Sequence, residues 1–447
     1  MSIAMNSLST LSHCRGRRSG QQAFRQRGAA TLIVVMVLFF IISLVAAYTS
    51  RNIIFEQRTA ANQYTSTVSL EAANAGLEWA LGLLNGSRID DSCVPASSSS
   101  SASFRQRYLS VDPASGIISV STAVRDGPQW PTCWHKRATN EWVCHCPGSA
   151  GGSIAATPTE PFTPSFRVRF IQLDEAVSVT PAPATRPGIV AIEVNGCTSW
   201  DSACLDFQPY KKDWCRGTVC AQLALASGLK SPPIAAITAR GPVDFGGAAV
   251  TIANDSSKSN IWVLSGGAIN QTGMNLLPPG TGHLFANDSG LADPLFTPER
   301  MFAAIFGVWP STYVEQPGAV KVDCSATCDS TMVRNAVDAN PGRALVLQGN
   351  VLLNGGSSIG TETDPVVLVT TGNFGFSSST DVYGLVYSRA STWTTSGSGN
   401  IYGAMVAEGA ISGSGSFAVG FRHDILDRAL WSTGSFVMVP GSWKDFP

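Results

Sequence analysis

The densest potential chemistry in this chain is sulfur. Eleven cysteines occur in 447 residues, and Cys133-Trp134-His135 with Cys144-His145-Cys146 crowds thiols and imidazoles into one stretch. Such a set offers five soft or borderline ligands and could form a zinc knuckle in a reducing compartment. The spacing matches no ribbon of paired Cys-x-x-Cys motifs, and in an oxidising compartment the same thiols become bridges. Cys14 precedes the apolar run described below, which leaves an even ten: Cys93, Cys133, Cys144, Cys146, Cys197, Cys204, Cys215, Cys220, Cys324 and Cys328. Short separations favour Cys197 with Cys204, Cys215 with Cys220, and Cys324 with Cys328. The other four then pair among themselves, Cys144 to Cys146 least readily because a bridge across one residue is strained. Disulfides are the expectation, with no metal and no cofactor.

Hydrolytic chemistry has little support. Gly356-Ser357-Ser358-Ile359-Gly360 fits G-x-S-x-G, but a nucleophile elbow needs a strand, a sharp turn and a helix, and this motif sits between two short apolar runs. A turn is the better reading. Asp364, Asp381, Arg389 and Glu408 are too scattered to assign as a polysaccharide-cleaving site, and the five histidines show no H-E-x-x-H spacing. The expectation is that the chain is not an enzyme.

The element that must position everything else is the run 29–49, which has no charge, Pro or Gly. At the rise of an α-helix, about twenty such residues cross the hydrocarbon core of a bilayer. It is too long for the apolar core of a cleaved secretory signal. Arg15, Arg17, Arg18, Arg25 and Arg27 precede it with no acidic residue among them, so the positive-inside rule predicts a single-pass inner-membrane protein with N inside and C outside. From Ser50 to Asn85 there is no Pro, and Ile53, Ile54, Ala60, Ala61, Tyr64, Val68, Ala72, Ala75, Trp79 and Leu83 recur at spacings of three and four. One helix of roughly 55 residues, about 80 Å long, is predicted.

At Arg27-Gly28-Ala29-Ala30-Thr31-Leu32-Ile33-Val34 a basic stretch and a Gly abut the apolar helix. This resembles a type IV prepilin cleavage site, which implies a prepilin peptidase cut between Gly28 and Ala29 and methylation of the new N-terminus. The stretch Ser69-Leu70-Glu71-Ala72-Ala73-Asn74-Ala75-Gly76-Leu77-Glu78-Trp79-Ala80 resembles the Ala-rich, Glu-containing segment of PilX-like minor pilins. Major pilins carry a Glu at mature position 5; here that position is Ile33. A carboxylate in hydrocarbon is costly unless paired, and PilX-like minor pilins and the large minor pseudopilin of type II secretion resemble this chain in lacking it. The resemblance implies subunit packing through Ile33, Glu71 and Glu78, and other minor and major pilins as partners.

Composition agrees with an exported, β-rich protein. Charged residues make up 14% and there are 43 Gly. The 30 basic and 31 acidic residues give −1, and loss of the five leader Arg leaves −6. No basic patch supports nucleic-acid binding. The predicted class is α+β. Residues 1–28 are a cytoplasmic leader and 29–85 the pilin helix. Residues 86–231 form a β-rich, Cys-containing region and 232–447 a parallel β-solenoid-like domain interrupted by helices at about 297–340. Within the third part, 166–171 and 189–194 look like paired strands across a Pro-rich 181–187 segment. The Cys197 to Cys220 loops carry Trp200, Trp214 and Lys211-Lys212.

In the fourth part, Val382-Tyr383-Gly384-Leu385-Val386-Tyr387 and Ile401-Tyr402-Gly403-Ala404-Met405-Val406 align at an offset of 19, with rows at 344–347 and 366–369 before them. Rows recurring between turns suggest stacked coils, with Ile237, Val243, Val250, Ile252 and 261–264 as the first. Gly349 to Gly355, Pro365 to Val369, 383–387, Gly403 to Gly409 and the closing Pro440 to Phe446 resemble the C-terminal domain of large PilX/PilW-type pilus assembly proteins. Four readings follow: a minor pilin that initiates or tips the pilus, working with a tip adhesin; a pilus-borne surface adhesin; a minor pseudopilin of type II secretion; and a membrane-anchored solenoid enzyme. The first places the chain in the inner membrane, the periplasm and the pilus or cell surface.

Overall fold

The computed structural model describes residues 27–96, 101–112, 114–121, 130–148, 158, 160, 162–172, 186–207, 219–254, 258–280, 282–395 and 397–445. Leader residues 1–26, the Pro-rich 181–185, Lys211, Lys212, Trp214, Cys215 and Phe446 lie outside the described residues. The chain divides into two compact units, 1–65 and 66–447.

In the first unit every described residue belongs to the long helix Arg27–Leu84. No Gly or Pro occurs between positions 29 and 75, so nothing interrupts the i to i−4 ladder and the backbone satisfies itself. Thr49 adds its hydroxyl to the carbonyls of Val45 and Ala46 at 2.9 and 3.0 Å. The side chains point outward all round: Ile33 is 62% exposed, Phe39 71% and Phe55 71%. One helix is thus long and apolar enough to cross a membrane, and its apolar surface calls for lipid or other chains around it.

The second unit starts with the end of that helix. Ala73, Leu77, Ala80 and Leu84, at helical spacing, are buried against an antiparallel sheet. The sheet runs in the order Gly434–Met438, Val219–Ser227, Ile189–Cys197, Ser165–Ile171, Thr132–Lys136, Glu141–His145. The expected pairing of 166–171 with 189–194 is present, with Val168 opposite Val194. Helix and sheet meet closely: a Cβ on Gly196 would lie 2.0 Å from the Ser69 carbonyl oxygen and 2.6 Å from the Ala73 nitrogen. Trp79 packs on Phe104 and Phe166, with ring centroids 5.5 and 5.4 Å apart.

Between the strands 219–227 and 434–438 lies a stack of parallel strands. Its main row reads Ala319–Cys328, Ala344–Leu353, Val366–Thr370, Asp381–Ser388, Asn400–Ala407, Ala235–Ala239, Ile261–Ser265, His283–Phe285. A second row holds Thr392–Thr395, Ala410–Gly413, Val243–Asp244 and Ile269–Asn270. A third carries Asn400–Ala407 through Ala418–Phe421 and Val250–Asn254 to Met274–Leu277. The offset of 19 appears directly as register, Tyr383 beside Tyr402 and Gly384 beside Gly403. Both glycines have positive φ, 138° and 144°, and a Cβ on Gly403 would fall 2.0 Å from the Gly384 carbonyl oxygen.

Space and sequence order differ in this stack. The strands at 235–264 come first in the chain but lie beyond the 400–421 strands, not ahead of 344–353. Helices Ser289–Ala292, Pro298–Phe306 and Pro310–Tyr313 carry the chain from the last strand at 283–285 to the opposite edge strand 319–328. That edge strand falls inside the 297–340 segment expected to be a helical interruption. Its residues 319–324 pair in continuous register with a long neighbour, and after a bulge Cys328 pairs again with Val351, which gives it a place in the row despite the flanking helices. The chain's end then leaves the stack, since Phe436 pairs with Leu225 of the antiparallel sheet.

Arg105 joins these parts. It sits in the short helix Phe104–Tyr108, whose Ser103 and Gln106 form a capping box. Its guanidinium donates to the carbonyls of Leu84, Gly342, Ser432 and Gly434 at 3.3, 2.9, 3.2 and 2.8 Å and lies over the Phe436 ring at 5.0 Å. Burial, with a smaller contribution from Arg343, lowers its pKa to about 10, still charged at neutral pH.

Candidate functional site

The residues at the proposed cleavage junction, Gly28 and Ala29, lie in the first turn of the long helix. Ile33 is exposed one turn further on, in the first unit. Glu71 and Glu78, in the second unit, are both exposed. Their spacing of seven puts them on one face of the helix, opposite the Ala73 and Leu77 face that meets the sheet. Among the described residues neither carboxylate forms a hydrogen bond or an ion pair.

The cysteines are used in pairs. Cys93 bridges Cys146 and Cys133 bridges Cys144; Cys197 bridges Cys204 and Cys324 bridges Cys328. Cys220 is also disulfide-bonded, while its expected partner Cys215 lies outside the described residues. The first two pairs resolve the choice that spacing left open. Cys133 and Cys144 face each other across adjacent antiparallel strands, and the Cys146 amide donates to the Asp91 carbonyl at 2.8 Å, which brings Cys146 to the loop holding Cys93. A zinc knuckle at this cluster would have no thiolate left, and among the described residues no group of three or more His, Cys, Asp or Glu could hold a metal ion.

Ser357 and Ser358 lie in a bend between the strand 344–353 and the bridge of Ile359 to Val382. No helix follows, so no elbow forms; the Ser357 carbonyl accepts from Arg334 at 2.7 Å instead. The four charged residues singled out from the rows do not converge. Asp381 accepts from Asn400 at 2.7 Å and Asp364 is exposed. Only Arg389 and Glu408 meet, with Arg389 Nε donating to Glu408 Oε1 at 3.0 Å and Tyr387 Oη donating to the same oxygen at 3.1 Å. Burial raises the Glu408 pKa above the ordinary carboxylate value, against the opposing pull of Arg389. This cluster borders a cleft of about 470 Å³ between helices 298–306 and 310–313 and the outer face of the main row.

The cleft escapes a reading by motif because its parts are remote in sequence. The local helix signals were legible: Thr297 caps, Pro298 follows at the first position and Gly307 closes at φ 79°. What they enclose depends on tertiary packing, Phe302 and Phe306 lying 5.3 and 5.1 Å from Tyr387.

Residues 27–78 match the family model described as PilX N-terminal. No curated protein and no solved structure matches the chain. The match covers 27–78 of the helix Arg27–Leu84 and supports a minor pilin of the type IV pilus class in general. The apolar helix near the N-terminus fits a membrane-anchored pilus protein.

Proposed function

We propose that this protein is a structural minor pilin that helps initiate type IV pilus assembly and sits at or near the tip, and that it is not an enzyme. The observation that carries the reading is the long helix, apolar over 29–49 and exposed from Thr31 onward in the first unit, with Ile33 where major pilins place a carboxylate. Such a helix packs among lipids before extraction and among other pilin helices afterwards. The peptidase cut between Gly28 and Ala29, N-methylation and the N-in, C-out topology belong to the same reading. So does subunit contact through Glu71 and Glu78. In this reading the three parallel rows form an exported β-solenoid.

Pilus counts in a deletion strain test this directly. Loss of surface pili, restored by the wild-type gene and not by a Gly28 variant that blocks cleavage, is the expected result. Normal pili with poor attachment would transfer the assignment to an adhesin, and normal secretion-dependent defects without pilus loss to a type II secretion pseudopilin.

A further inference from the structure

The cleft beside Arg389 has the makings of a small-molecule site. Its floor is apolar and buried, formed by Val346 and Val369 of the main row, both 1% exposed. One wall is Trp309, whose indole is 51% exposed although its backbone begins the helix 310–313. An exposed indole beside an apolar floor is a flat surface, and among the described residues it has no aromatic partner. The volume of about 470 Å³ falls within the ordinary range for ligand pockets.

The rim is polar on several sides. Gln348, Thr371 and Ser311 are exposed there, and Glu299 projects from the first turn of the helix 298–306. Arg389 is fixed through Nε to Glu408 and stacks over Phe302 at 5.7 Å, while its Nη1 and Nη2 make no hydrogen bond among the described residues. The guanidinium is thus held in place with its terminal donors unspent. Glu299 and Arg389 form no ion pair with each other, so the lining presents one carboxylate acceptor, held to Thr297, and one guanidinium donor whose charge Glu408 already faces.

We propose that this cleft binds a neutral saccharide, one pyranose ring lying on Trp309 and its hydroxyls bridging Glu299, Gln348, Thr371 and Arg389. A pyranose has an apolar C–H face that packs on an aromatic ring and a girdle of hydroxyls that both donate and accept. An anionic ligand would meet the Glu299 carboxylate, and a purely apolar one would strand the polar rim. The site is independent of the helix 27–65 and of the place of the chain in the pilus.

Isothermal titration of the detergent-solubilised full chain with lactose, maltose and N,N′-diacetylchitobiose tests the assignment. At least one disaccharide binds saturably, and Trp309→Ala weakens it tenfold or more, whereas Trp443→Ala, at an exposed indole remote in sequence, leaves it unchanged. Circular dichroism checks the fold, and Gln348→Ala, a truncation of an exposed side chain, gives a smaller loss by a second route. The proposal is overturned if none of the three sugars binds, if binding survives both Trp309→Ala and Gln348→Ala, or if an acidic tripeptide saturates the cleft while the sugars do not.

Discussion

Ile237 stands beside Met405 in parallel register, although nearly the whole parallel stack separates them in sequence. The same ladder continues from Leu345 through Leu368, Val386, Met405, Ile237 and Val263 to Leu284. The strands nearest the start of the stack's sequence are therefore cemented to those nearest its end.

That arrangement predicts energetic coupling. Ile237 and Met405 are fully buried, so Ile237→Ala and Met405→Ala each cost about 2–5 kcal/mol through lost burial and residual cavity. As touching residues they give a non-additive double mutant, with a coupling of about 0.5–3 kcal/mol. Denaturant unfolding of the four proteins measures it. Strict additivity would mean the two strands are not neighbours.

The disulfides divide by the loop each closes. Thiol labelling in denaturant without reductant should leave Cys93, Cys133, Cys144, Cys146, Cys197, Cys204, Cys324 and Cys328 unmodified. Cys93–Cys146 spans 53 residues and Cys324–Cys328 only 4. On loop-closure entropy, losing the first pair as Ser costs about 4 kcal/mol and losing the second about 2 kcal/mol. The ranking is read from the two unfolding midpoints, and its reversal would reject the entropic account.

What was legible in the sequence was local. The 29–49 run, the pairing of 166–171 with 189–194 and the offset of 19 between 382–387 and 401–406 depend on periodicity and spacing, which a sequence displays. The return of 434–438 to the antiparallel sheet and the neighbourhood of 237 and 405 depend on which edges meet, and register between remote strands leaves no local pattern. The two-residue strands Val243–Asp244 and Ile269–Asn270 are too short to show a period at all. The cleft was invisible for the same reason, since Trp309, Gln348, Thr371 and Arg389 share no motif.

Arg105 shows how much can rest on one residue with no sequence signature. Arg105→Met removes the donors to four carbonyls from remote segments and should cost at least about 1–3 kcal/mol, the penalty for leaving buried acceptors unsatisfied. Arg105→Lys keeps the charge but carries three donors against four acceptors and should fall between. Thermal unfolding of both variants ranks them. Equal, near-wild-type midpoints would show that the junction does not depend on this side chain.

Ile33 carries the sharpest claim about position. A subunit at the growing tip has none ahead of it whose terminal amine needs a carboxylate, so an apolar residue there carries no penalty. Within the shaft, the same residue would leave a neighbour's amine unpaired in a low-dielectric core, a cost of a few kcal/mol by analogy with broken buried ion pairs, about 3–5 kcal/mol. Ile33→Glu should therefore relax the restriction and let the protein appear along sheared filaments, provided its large second unit can be accommodated. Immunogold labelling compares the two: wild-type label confined to filament ends, variant label spread along them. Abundant wild-type label along shafts would show that residue 33 does not confine the subunit, and would remove the main support for a tip position.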